Sequence, residues 1–269
     1  MGSAGSTGSM GSGGSPVVYA HRGGAALAPE NTIAAFDNGM GLGADGLEFD
    51  VRLSRDGVAV VHHDAVLDRT TNARGPVSAL TADELARVDA GYHFTKDGQR
   101  SFRGQGIGVP RLEEVVRRHP DARLIVEMKD DSEALAEAVV HVLRKAGALE
   151  RTAIASFHTR PVLAARRLSD GVRTGASHPE VRAALWASWC GLPPFKPAYY
   201  GFQIPEKAGR LRIVSPRFMR AVARRGLSVS VWTVNEEADM RRLLQWGVEG
   251  LITDRPDLAI PVVRGGSAR

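Results

Sequence analysis

Short apolar runs rich in Val, Ile, Leu and Ala recur along this chain. Most are followed by a stretch in which apolar residues return every three or four positions. The first pattern is that of a strand buried on both faces, the second that of a helix with one buried stripe. Nine runs read as strands: residues 17–21, 45–53, 58–63, 123–128, 152–157, 172–176, 199–204, 228–233 and 249–253. Helices are predicted between them. Asn31 can cap one whose apolar face is Ile33, Phe36 and Met40, and Thr81 with Glu84 has capping-box spacing ahead of Leu85 and Val88. Further helices are expected near 112–118, 132–146, 160–169, 179–188, 215–225 and 236–246, the last closed by Gly247. Gly91 to Gly108 is polar and glycine-rich with no apolar period, and reads as a long loop.

Strands alternating with helices imply a parallel sheet. The fold class expected is α/β, a TIM-type (β/α)8 barrel, for which nine strands are one too many. Only Ser54-Arg55-Asp56-Gly57 separates the second run from the third, and so short a link joins only antiparallel strands. Residues 58–63 therefore fold back as a β-hairpin extension after the second strand, and eight parallel strands remain. If Leu53 pairs with Val58, His63 lies opposite Glu48; if Arg55 pairs with Val58, it lies opposite Asp50. Either register puts His63 on the face of both carboxylates and His62 on the other.

Composition narrows the setting. A chain of 269 residues suits one barrel domain, placed at 16–260. Met1 to Ser15, almost wholly Gly, Ser and Ala, reads as a flexible tail, and 261–269 as a C-terminal tail. The first segment lacks the charged and apolar regions of a signal peptide. No run approaches the roughly 18 apolar residues of a membrane span, so no stable membrane insertion is expected. Cys190 is the single cysteine, which excludes an intrachain disulfide and fits a cytoplasmic protein. The net charge of +5 is scattered over clusters such as Arg117-Arg118 and Arg224-Arg225. Such clusters suit solvated helix faces, and no nucleic-acid partner is expected. The oligomeric state is left open.

Chemistry gathers at the downstream strand ends. His21-Arg22-Gly23 closes the first run, Glu48-Phe49-Asp50 lies in the second, and Glu127-Met128-Lys129 closes the next barrel strand. In a parallel barrel these ends converge on one face. Glu48, Asp50 and Glu127 offer hard anionic oxygens for one divalent cation, Mg²⁺ or Ca²⁺. His21 and His63 suit opposed proton transfers, one to deprotonate a nucleophile and one to protonate a leaving alkoxide. Arg22 offers a planar donor fork and Lys129 a point charge for phosphate oxygens, although Lys129 is equally spaced for a salt bridge to Glu127. Trp232 is an apolar wall for substrate or a plain core residue. Glu30 and Asn31 suit organising the first loop and capping its helix, and Asp254 suits either orienting a catalytic group or capping a helix.

These stretches resemble the glycerophosphodiester phosphodiesterase family over roughly residues 17–260. The resemblance rests on Ala20-His21-Arg22-Gly23, Pro29-Glu30-Asn31-Thr32, Gly43 through Val51, and His63-Asp64. It continues with Asp68-Arg69-Thr70-Thr71, Glu127-Met128-Lys129, Val231-Trp232-Thr233-Val234-Asn235 and Thr253-Asp254-Arg255-Pro256. The middle, 158–227, matches less distinctly. The resemblance implies a TIM-type barrel, a divalent metal, and hydrolysis of small-molecule glycerophosphodiesters to glycerol 3-phosphate and an alcohol. Two alternatives stand beside it. One is a phospholipase D-like enzyme acting on lysophospholipids or sphingolipids, which an apolar rim at the barrel mouth would favour. The other is a barrel that binds phosphorylated ligands without turnover. Direct attack by water and attack by the substrate's own 2-hydroxyl are both compatible with the residues.

Overall fold

The computed structural model describes residues 15–169, 171–195 and 197–265. The expected Gly/Ser tail, apart from Ser15, lies outside them. Eleven strands are present among the described residues: β1 (Val17–His21), β2 (Gly46–Leu53), β3 (Ala59–Val61), β4 (Arg123–Met128), β5 (Thr152–Ala155), β6 (Arg173–Thr174), β7 (Gly201–Pro205), β8 (Lys207–Ala208), β9 (Leu211–Arg212), β10 (Ser228–Trp232) and β11 (Gly250–Thr253). The main sheet runs β6-β5-β4-β2-β1-β11-β10-β7, and these eight strands pair in parallel. A parallel bridge from Gly175 to Gly201 joins the two remaining edges, with Tyr200 N donating to Thr174 O at 2.9 Å and Ala176 N donating to Gly201 O at 2.9 Å. Closure removes the open edges that an eight-stranded sheet would otherwise expose. The fold is a (β/α)8 barrel.

Both strand faces are buried because each meets a different core. Inside the barrel, Tyr19, Ile125, Ala153 and Ile252 pack together with Trp232 at their rim. The Tyr19 ring needs room that Gly46 leaves: a Cβ there would lie 2.8 Å from the ring and 2.4 Å from Arg123 O. Outside, Leu47, Phe49, Leu124 and Val126 pack on Phe36, Val115, Leu135 and Val139. Those partners lie on three amphipathic helices: α1 (Ile33–Gly41) and, once α2 (Ala82–Leu85) has followed the hairpin, α3 (Leu112–Arg118) and α4 (Glu133–Lys145). α5 (Thr159–Leu168) adds Ala164 and Ala165 to that core, and the second half repeats the arrangement with α6 (His178–Trp189), α7 (Pro216–Ala223), α8 (Glu237–Gln245) and α9 (Pro256–Gly265). The Thr81–Glu84 capping box is formed. No helix among the described residues is long and apolar enough to cross a membrane.

Three sequence-based details differ. The α1 cap is Thr32, whose side chain accepts from Ala35 N, not Asn31. Asn31 instead adopts φ 59° and faces inward, which frees its amide for the site. The folded chain also continues past 260: α9 runs to Gly265, and Val262 and Val263 bury against the outer core. Finally, β3 pairs antiparallel with β2 in neither register considered, but with Leu53 opposite Ala59 and Val51 opposite Val61. The cause is the turn. Gly57, at φ 75°, closes a three-residue loop in which Ser54 faces Val58, with Ser54 N donating to Val58 O at 3.0 Å. Strict alternation in that register would put His62, not His63, on the Asp50 side.

Candidate active site

His63 reaches the site because the ladder stops before it. Pairing ends at Val61, His62 N donates to Asp50 O at 3.0 Å, and the chain then bends. His62 turns into the protein, its Nε2 donating to Val66 O at 3.2 Å. His63 is released to the barrel mouth, where it lines a cavity of about 580 Å³ together with His21, Arg22, Glu48, Glu127, Lys129 and Trp232. Asp50, between Glu48 and Glu127 in the acidic group, is 1% exposed.

Parallel register brings the carboxylates together. Asp50 on β2 is the Cα partner of Glu127 on β4, and Glu48 is the partner of His21 on β1. One oxygen each from Glu48, Asp50 and Glu127 lies within 4.8 Å of the others. Three acids so close are held by cations on either side. Lys129 Nζ lies 2.9 Å from Glu127 and 3.1 Å from Asp50, and Arg22 Nε lies 3.1 Å from Asp50. Asn31 Nδ2 donates to Asp50 Oδ2 at 2.9 Å. The salt bridge from Lys129 to Glu127 is thus present, and the same ammonium still borders the cavity.

Electrostatics separates the three acids. Burial pushes Glu48 up to about 8, and Asp50 and Glu127 add to that rise against the pull of His21 and Arg22. Glu127 is also raised, again chiefly by burial. Burial acts on Asp50 in the same sense, but Arg22 and Lys129 outweigh it and hold that carboxyl below its ordinary value. A hard divalent cation fits this donor set: all three donors are carboxylate oxygens, and two of them resist ionising while no further positive charge is near.

Each histidine carries an aspartate on Nδ1. His21 Nδ1 lies 2.6 Å from Asp254 Oδ1, and Asn235 Nδ2 donates to the other Asp254 oxygen at 2.9 Å. This resolves Asp254 as an orienting group for His21. His21 Nε2 then faces Glu48 at 3.7 Å. Burial lowers the imidazole pKa, but Glu48 and Asp254 prevail and raise it. His63 Nδ1 lies 2.6 Å from Asp64 Oδ1. Arg69 Nε donates to Asp64 at 2.6 Å and its NH groups donate to Glu30 at 2.7 and 2.8 Å; Glu30 in turn accepts from Arg22 at 2.9 Å. Asp64, Arg69 and Asn235 lie in stretches that carry the resemblance but have no role on the sequence alone. The signal was there for Asp64, which adjoins its histidine, but Arg69 and Asn235 acquire partners only through the fold.

Trp232 stands on the far side of the cavity, its ring edge-on to Phe157 at 5.7 Å. Phe157, in the weakly matching middle of the chain, was not anticipated; Lys129 Nζ lies 5.6 Å above its ring.

Comparisons with known proteins point to one family. Residues 21–258 match the model of the glycerophosphoryl diester phosphodiesterase family. A glycerophosphodiester phosphodiesterase of Caldanaerobacter subterraneus is 32% identical over 257 residues, covering 93% of this chain and 98% of that protein. Among solved structures, the glycerophosphoryl diester phosphodiesterase domain of a Mycobacterium tuberculosis protein aligns with a TM-score of 0.82 at 25% identity, covering 93% of this chain and all of that one. An Oleispira antarctica phosphodiesterase solved with its product sn-glycerol-3-phosphate aligns with a TM-score of 0.74 at 25% identity, covering 93% and 97%. With the barrel in place and the family's model matched over nearly the whole of it, the chain belongs to the glycerophosphoryl diester phosphodiesterase family, enzymes that hydrolyse glycerophosphodiesters.

Proposed function

We propose that this barrel hydrolyses glycerophosphodiesters to glycerol 3-phosphate and an alcohol with one divalent cation, Mg²⁺ or Ca²⁺, held by Glu48, Asp50 and Glu127. The observation that carries the reading is the meeting of two aspartate-bound histidines with this acidic cluster in one cavity. The product bound to the Oleispira antarctica relative supports glycerol 3-phosphate as the product here. A cation so placed supplies Lewis acidity toward a phosphate oxygen. The chain's own groups do the rest. Arg22 and Lys129 offset charge that builds on the phosphoryl oxygens. Asp254 holds the His21 Nδ1 proton and leaves Nε2 to face the site. Glu48 and Asp254 both raise His21, and Nε2, which faces Glu48, is the nitrogen placed to accept a proton from the nucleophile. His63, on the hairpin arm, gives a proton to the departing alkoxide while Asp64 holds its ring.

The test is hydrolysis of glycerophosphocholine and glycerophosphoethanolamine before and after exhaustive chelation. Activity is expected to vanish with the metal and return with Mg²⁺ or Ca²⁺; full activity after chelation would sink the metal role. Metal affinity also carries a pH signature. With Glu48 at about 8, the cation displaces a proton at neutral pH. Affinity therefore falls as pH drops below that value, by up to about tenfold per unit for one proton. A pH-independent affinity between pH 6 and 8, measured by calorimetry, contradicts a raised Glu48.

A further inference from the structure

Away from the cavity, one face of the barrel is both apolar and basic. Ten large apolar side chains are exposed among the described residues, and four of them, Trp186, Trp189, Leu192 and Phe195, fall within ten consecutive positions. Phe195 is 93% exposed, Trp186 63% and Leu192 58%. The indoles of Trp186 and Trp189 meet at 4.9 Å. None of the four lines the catalytic cavity, which α6 meets at its first residue, His178. A helix rises about 1.5 Å per residue, so Trp189 lies roughly 16 Å farther along the axis. The rest of the face comes from α7. Arg217 donates to Ser188 O at 2.9 Å and to Trp189 O, Arg224 to Gly191 O at 2.9 Å, and Arg225 to Pro194 O at 3.0 Å. These bonds pin the backbone after α6 to α7, while Leu192 and Phe195 stay in water. A guanidinium that donates to a carbonyl keeps its charge. Among the described residues, Arg217, Arg220, Arg224 and Arg225 have no carboxylate partner. Elsewhere on the surface such pairs form, as between Arg117 and Glu113, Arg118 and Asp37, and Arg241 and Glu237. From Val181 to Asn235 the sequence holds nine Lys and Arg against one acid, Glu206, and that acid is taken by Arg212 and Arg242.

We propose that this face docks on the surface of an anionic phospholipid bilayer. Trp186, Leu192 and Phe195 seat at the boundary between headgroups and chains, and the α7 arginines meet the headgroup phosphates. Tryptophan and other large apolar side chains beside a basic patch are what such an interface takes: apolar depth under a negative surface. A second copy of the chain would bring like charge against like charge, with no acid on the face to offset it. An acidic protein would answer the arginines but gives no reason for a phenylalanine standing almost free in water. The docking is peripheral, through one helix end and the segment after it. The barrel mouth lies at the other end of α6 and stays open to water-soluble substrate, so the lipid is a support and not a reactant. Docking of this kind needs no turnover and is independent of the phosphodiesterase activity.

The experiment sediments the metal-loaded protein with phosphatidylcholine vesicles and with vesicles carrying about one third phosphatidylglycerol, at low and at high salt. Binding to the anionic vesicles is expected to be at least about tenfold tighter than to the neutral ones, and to weaken with salt. Phe195→Ser and Arg220→Glu, both at exposed positions, should each weaken it about tenfold. The melting temperature of both variants should stay at the wild-type value, which reports an intact fold. Absent binding, or equal binding to the two kinds of vesicle, overturns the proposal, as does binding that both substitutions leave intact. Loss in Arg220→Glu with none in Phe195→Ser marks a site for polyanions at large, as an acidic protein would use, and overturns the lipid assignment. Self-association without vesicles that Phe195→Ser abolishes overturns it in favour of a second copy of the chain.

Discussion

The two histidines face one cavity but are held in opposite ways. His21 ends a strand in the middle of the closed barrel, its side chain 15% exposed, and its aspartate comes from the neighbouring strand end 233 residues later. His63 sits on an arm just past a three-residue strand, its side chain 29% exposed, and its aspartate is the next residue in the chain. Barrel register fixes the first. The second depends on a bend and on a run of ion pairs from Asp64 through Arg69 and Glu30 to Arg22. Rigid placement and local placement thus bring the two rings to one cavity.

The contrast breaks most visibly on removing either ring. His21→Ala and His63→Ala should each lower kcat by about 10²–10⁴-fold, and the double variant should lose far less than the product of the two. A nitrophenyl phosphodiester, whose leaving group needs no proton, should recover much of the loss in His63→Ala and little in His21→Ala. Recovery in the reverse order exchanges their roles.

The aspartates sharpen the comparison at smaller amplitude. Asp254→Asn and Asp64→Asn should each lower kcat by about 10–100-fold with little change in KM. Arg69→Ala should cost only about two- to fivefold, as a half-exposed ion pair would, and leave metal affinity unchanged; a loss as large as that of Asp64→Asn would show that the arm has no hold of its own. Smallest of all for activity is His62→Ala. It should leave kcat within about twofold while lowering stability by about 1–3 kcal/mol, since removing the buried ring leaves a void and takes the donor from the Val66 carbonyl. Equal activity losses at His62 and His63 would mean that the bend after Val61 does not persist in solution.

Barrel strands and helices were legible because burial on both strand faces and one helix face writes itself into residue type. The acidic cluster was legible for the same reason: once β1, β2 and β4 are parallel, their ends must meet. What alternation misjudged was the hairpin, where one left-handed glycine moves the register by a residue. His63 still entered the site, but through the bend rather than the pleat. Asn31 was assigned a cap because its type suits one; Thr32 holds that position and Asn31 turns to Asp50 instead. The places of Phe157, Leu185 and Leu211 around the cavity were not legible, since only closure of the sheet sets these distant residues together.

The β1–β11 pairing, Val17 with Gly250 through Ala20 with Thr253, has a consequence for assembly. During synthesis the first strand must wait for the last before the barrel can shut, a contact of nearly maximal sequence separation and hence slow to form. Glu48, Asp50 and Glu127 are all translated within the first half of the chain, whereas Asp254 emerges at its far end. A nascent chain thus carries all three acids well before Asp254 can close on His21.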